Sequence, residues 1–174
     1  MRSDDSSPFN VIPPAVVALS VLIAGLEVMF QLAAAGILGG QDGVGWRIAA
    51  LTDYAVRDDV WEWMLANRNF RPDELLRFIA YPLLHGGFVH AAFVVVFLLA
   101  LGKLVAEAFS SAAFLAIFWI SALVGALAFV TILDSRPALV GGYPGVYGLI
   151  GAFSFLVPVL MVADEMRILG GSPM

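Results

Sequence analysis

The stretch LVGGYPGVYGLIGA, Leu139 to Ala152, places glycine at positions 142, 145, 148 and 151. Residues three apart share a helix face, so these glycines form one smooth row along an apolar helix. In a membrane, such a row lets a second helix approach closely, through packing alone. Pro144 suits the first turn of that helix, where the N–H it lacks would have no partner in any case. Reading onward, the apolar run continues to Ala163, which gives a span over 143–163. Gly141 and Gly142 mark the turn that leads into it.

The rest of the chain agrees with a membrane setting. Of its 174 residues, 61% are apolar and 13% charged, against roughly 45–50% and 25% in an average soluble domain. The mean hydropathy is +0.92. Besides 143–163, apolar segments cover 14–38, 78–101 and 112–133. Each has roughly the 20 residues needed to cross the hydrocarbon core, and each must satisfy its own backbone hydrogen bonds there. We therefore expect an all-α polytopic membrane protein with four transmembrane helices, in one domain over 1–174. Tails over 1–13 and 164–174 flank it. The N-terminal MRSDDSSPFNVIPP has no basic region and no small-residue cleavage site, so the first span is read as retained. Basic residues are scattered, so no nucleic-acid partner is expected. The absence of cysteine excludes disulfides and thiolate chemistry.

The connections are unequal. Spans two and three are joined by a polar link, Lys103–Ser111, and spans three and four by Asp134–Gly142. The first connection runs from Gly39 to Arg77. Within it, Tyr54, Val56, Val60, Trp61, Met64 and Leu65 alternate with charges in the pattern of an amphipathic helix lying in the membrane surface. Trp46, Trp61 and Trp63 suit headgroup depth. Pro72-Asp73-Glu74 resembles a helix start, which would let the second span begin near Arg71. Arg2, Lys103 and Arg167 fall on one side, and Arg47, Arg57, Arg68, Arg71, Arg77 and Arg136 on the other. The positive-inside rule favours the cytoplasm for the second set.

His85 and His90 open the second segment. On a continuous helix, five residues separate them by about 140°. That is poor geometry for one metal ion, so no metal site and no cofactor are expected. Glu27 lies mid-span, where a lone charge is costly. It must be protonated, paired, or turned to a wet interior. A hydrogen bond to Gln31 one turn later is the expected answer, with a proton or partner site as the alternative.

Arg77 followed by His85-Gly86-Gly87-Phe88-Val89-His90, then Gly102 and Glu107, then Gly141-Gly142-Tyr143-Pro144 with Tyr147, Gly151 and Ala152, resembles the rhomboid family of intramembrane serine proteases. The resemblance implies a six-helix fold of which this chain would supply the first four helices, with a long first loop in the membrane surface. It also implies roles for positions. The nucleophilic serine of the family's G-x-S-G falls on Tyr143, and its following glycine on Pro144. The asparagine that helps hold the oxyanion falls on Val94, one turn after His90. The aromatic residue that packs on the family's catalytic histidine falls on Tyr147, expected here to fill core space. That histidine belongs to a sixth span, and no histidine follows His90 in this sequence.

A serine nucleophile needs an adjacent base and oxyanion donors. Ser154, Ser110 and Ser111 have no such company in sequence, and a Tyr143 phenol near pKa 10 would need strong activation. No complete catalytic site is expected, although His85, His90, Val94, Gly141, Tyr143, Pro144 and Tyr147 hold the family's site positions. Gly142, Gly145, Gly148 and Gly151, with Glu27, are the candidate helix-packing and partner-binding residues. The expected function is non-proteolytic: rhomboid-like proteins without catalytic residues bind transmembrane helices of other proteins and affect their assembly, stability or trafficking. The expected partners are those helices and the lipid bilayer, in a bacterial inner membrane. The alternatives are a structural accessory subunit of a larger membrane complex, and a rhomboid-type protease that is shortened or has an atypical site.

Overall fold

The computed structural model describes residues 11–133 and 137–170. Of the expected features, residues 1–10 of the N-terminal tail, 134–136 of the third connection and 171–174 of the C-terminal tail lie outside the described residues. Among the described residues, six helices of 9 residues or more carry the fold. They are α1 (Pro14–Ala34), α2 (Trp46–Tyr54), α3 (Asp58–Asn67), α4 (Phe88–Ala108), α5 (Ser111–Ile132) and α6 (Tyr143–Gly170). Three of them, α1, α4 and α5, are long and apolar enough to cross a membrane, and α6 is apolar over Tyr143–Val159. The chain is an integral membrane protein of all-α architecture.

The second span differs from its expected bounds of 78–101. Phe78 belongs to a short helical turn, Arg77–Ala80, followed by a single 3₁₀ turn, Tyr81–Leu83, and α4 starts only at Phe88. Pro82 and the Gly86-Gly87 pair explain the break, since proline removes a donor and glycine costs helix stability. At its other end α4 passes through a π turn at Leu98–Gly102 and continues to Ala108, so the expected polar link shrinks to Phe109–Ser110. The Ser110 hydroxyl then caps α5 by accepting from the Ala113 amide at 3.0 Å. Helix α1 stops at Ala34, short of the expected end of the span at residue 38. Helix α6 runs past Ala163 to Gly170.

The single amphipathic helix expected in the first connection is two helices. The chain breaks at Ala55–Arg57, where Val56 and Leu139 exchange backbone hydrogen bonds of 3.1 and 2.8 Å as an antiparallel bridge. Arg77 closes the end of α2 by donating to the carbonyls of Thr52 (2.7 Å) and Ala55 (3.1 Å) while pairing with Glu74. A cation there also favours the negative end of the helix dipole. Trp61, expected at headgroup depth, is partly buried and edge-on to Phe78 at 5.6 Å.

Two apolar clusters hold the bundle. The larger joins Val16, Leu19 and Ile23 of α1 to Val94 and Leu98 of α4, Phe114 and Phe118 of α5, and Val146 and Leu149 of α6. The smaller joins Val56 and Met64 to Phe78, Tyr81, Ala122, Ala126 and Val130. Helix α5 buries Phe114, Phe118, Ala122, Ala126 and Val130, every fourth residue. That row is a packing ridge. It receives α6 along the glycine row.

Candidate functional site

The site is built where four segments meet: the turn before α4, the first turn of α4, the turn before α6, and the first turns of α6. His85 stands in the non-helical segment ahead of α4, not on the helix. The helical angle between the two histidines therefore does not apply, and the structure brings them together. Their ring centroids are 4.9 Å apart, edge to face. His85 is 2% exposed, and its Nε2 accepts the Gly142 backbone N–H at 3.3 Å. An accepting Nε2 places the ring proton on Nδ1. Among the described residues, neither His85 Nδ1 nor the buried His90 Nε2 has a hydrogen-bond partner of good geometry. Among the described residues, no group of three metal-ligating side chains occurs.

Gly141 makes this geometry possible. Its φ of +92° is a conformation side chains rarely adopt. A Cβ there would also stand 2.5 Å from His90 Nε2. Its amide donates to the Tyr81 carbonyl at 3.0 Å, while the Tyr81 hydroxyl donates to the Ala122 carbonyl at 2.7 Å. The turn is thus tied to α5 and to the segment before α4.

Tyr143, the first residue of α6, lies flat on His90, with centroids 5.1 Å apart and planes 16° from parallel. Tyr147 stacks on Tyr143 at 6.1 Å. It does not fill core space as expected: Tyr147 is 64% exposed and lines an open groove of about 550 Å³ with Val89, Phe93, Pro144 and the other two rings. One turn below His90, Val94 is fully buried, and a Cβ on Gly142 would stand 2.9 Å from it. Pro144 packs on Gly125 of α5. The site is an apolar, aromatic joint with two imidazoles inside it.

The candidate glycines divide. A Cβ on Gly145 would stand 2.5 Å from the Phe118 ring, and one on Gly148 would overlap the Ser121 side chain and stand 3.2 Å from the Ile117 carbonyl. These two, with Gly142, face the protein's own helices. Gly151 has nothing within 4 Å. Ser154 donates to the Ile150 carbonyl at 2.9 Å, one turn back in its own helix.

Glu27 is 3% exposed. The expected bond to Gln31 is present at 2.7 Å. The larger interaction was not anticipated: Arg47 holds both Glu27 oxygens at 2.8 Å and donates to the His85 carbonyl at 2.7 Å. This bidentate pair is internal to the bundle. A buried mid-span carboxylate calls for a cation, and Arg47 is the first arginine after α1, so a signal was there to be read.

Burial first, and then the charge that a protonated His90 would set beside it, lower the His85 pKa from 6.5 to about 4. The folded protein therefore binds fewer protons than the unfolded chain between those values. Stability is complete above pH 6.5 and falls as pH drops towards 4, by on the order of 3 kcal/mol. Thermal unfolding in detergent across pH 7.5 to 4 should show this slope. His85→Gln keeps an acceptor for Gly142 without titrating, and should flatten the slope. An unchanged slope in that variant would assign the effect elsewhere.

Comparison with known proteins places this arrangement. No curated protein and no solved structure matches the chain, but the family model described as "Rhomboid domain" matches residues 72–169. The match covers more than half of the sequence, including the histidine pair, α4, α5 and nearly all of α6, and the chain belongs to the rhomboid family.

Proposed function

We propose that this rhomboid-family chain does not cleave peptide bonds and instead binds transmembrane helices of other membrane proteins. One observation carries the reading: the Tyr143 ring, in the position the resemblance gives to the nucleophile, lies stacked on His90. A serine there would offer a small nucleophilic hydroxyl. The phenol instead offers a flat apolar face, and the neighbouring Val94 offers no hydrogen bond to an oxyanion. Losing one oxyanion donor alone costs about 2.7–4 kcal/mol of barrier. What the same side chains do offer is an open groove of aromatic and branched apolar groups between α4 and α6, suited to the side of an apolar helix. In this reading α1, α4, α5 and α6 all cross the bilayer, a bacterial inner membrane.

A photo-crosslinking residue placed at Phe93 or Tyr147 in cells should capture transmembrane segments of other proteins, whereas one at Val124, exposed on the outer face of α5, should not. Equal capture at the two faces would sink the groove as a docking surface. A fluorophosphonate probe should label no serine of the purified chain, and a labelled serine would overturn the non-proteolytic reading.

A further inference from the structure

We infer that Arg47 is the positioning residue of the histidine site, coupling the surface helix α2 to the turn that opens α6. The chain of contacts is continuous. Glu27, two thirds of the way along α1, anchors the guanidinium through both carboxylate oxygens. The same Nη1 donates to the His85 carbonyl at 2.7 Å. Through its ring, His85 accepts the Gly142 amide at 3.3 Å. Residue 47 is the second residue of α2, so a displacement of that helix moves the guanidinium directly. The Phe30 ring, 5.2 Å from the guanidinium carbon, closes its other side.

The coupling follows from the poverty of other restraints on His85. The segment Leu84–Gly87 lies in no helix. Among the described residues the His85 Nδ1 makes no hydrogen bond of good geometry, although the Leu83 backbone lies beside the ring, so apart from packing the ring is oriented chiefly by the bond to Gly142 and the backbone by Arg47. A lysine could pair with Glu27 but could not hold both of its oxygens and the His85 carbonyl with one planar fork. The inference is independent of whether the site cleaves or binds.

The test separates positioning from folding. Removing Arg47 alone strands a buried carboxylate, whereas replacing both members of a buried pair by apolar residues is often neutral. The full chain is therefore prepared in lipid nanodiscs as wild type, as Glu27→Met/Arg47→Met, and as Arg47→Lys, which keeps the pair but not the fork. Two signals are read by NMR: the ¹⁵N shifts of the His85 ring, which report its tautomer, and hydrogen exchange at the Gly142 amide. Wild type should show a single tautomer with the proton on Nδ1. In the variants the two tautomers should mix, and Gly142 exchange should rise about tenfold or more in the double variant and less in Arg47→Lys. Exchange at an α5 core amide such as Ala122 should stay at the wild-type rate. A single Nδ1–H tautomer and unchanged Gly142 protection in whichever variant folds would overturn the inference, as would a rise at Ala122 equal to that at Gly142.

Discussion

Arg47→Met is expected to destabilise the fold by about 3–5 kcal/mol, because it leaves the buried Glu27 carboxylate without its cation. Gln31 would remain at 2.7 Å, but one amide donor cannot replace a guanidinium that binds both oxygens. The pair also ties α2 to α1, so its loss should be felt first where the surface segment meets the bundle. Unfolding titrations in mixed micelles should show the shift directly. The double substitution Glu27→Met/Arg47→Met should recover most of the loss, since the uncompensated charge and not the absent contact is the main cost. A single variant as stable as wild type would mean that Glu27 can be neutralised in place by taking up a proton. A double variant as weak as the single would mean that the fork itself, including its bond to the His85 carbonyl, carries the energy.

Arg47 also shows where reading the sequence stopped short. Composition and segment length sufficed for the membrane class, because a span must be apolar and long whatever it packs against. The histidine pair and the glycine row were equally visible, since each is a local pattern. The partner of Glu27 was not, because a pairing across twenty residues depends on how α2 folds back on α1, and no periodicity encodes that. The start of α4 was misplaced for a different reason. Residues 78–101 read as one largely apolar segment, while the break at Leu84–Gly87 is a backbone event marked by Pro82 and Gly86-Gly87. That break is what moves His85 off the helix and against His90. The facing of Tyr147 was misjudged because helical spacing shows which residues share a face but not whether that face looks inward.

The glycine row gives the other large effect, with Gly145→Leu expected to destabilise the bundle by about 3 kcal/mol and Gly151→Leu to change it by less than about 0.5 kcal/mol. Both are glycines of one i,i+3 row on one apolar helix, so sequence alone treats them alike. Their surroundings differ. Gly145 lies against Phe118, a fully buried ring at the centre of the larger cluster, and even a Cβ would stand 2.5 Å from it. The ring cannot withdraw, because Val94, Leu98 and Val146 belong to the same packed cluster. A leucine must therefore push α6 away from α5, and that movement would carry Tyr143 off His90 and strain the Gly142–His85 bond. Gly151 has open space around it. Measuring both variants by unfolding titration, together with crosslinking from Tyr147, distinguishes two meanings of the row. If Gly145→Leu unfolds the bundle and Gly151→Leu leaves both stability and capture intact, the row joins α6 to α5 and the partner surface is the aromatic groove. Should Gly145→Leu instead remain stable while losing capture, the row would be facing a partner after all, and the packing of α5 against α6 described here would be wrong.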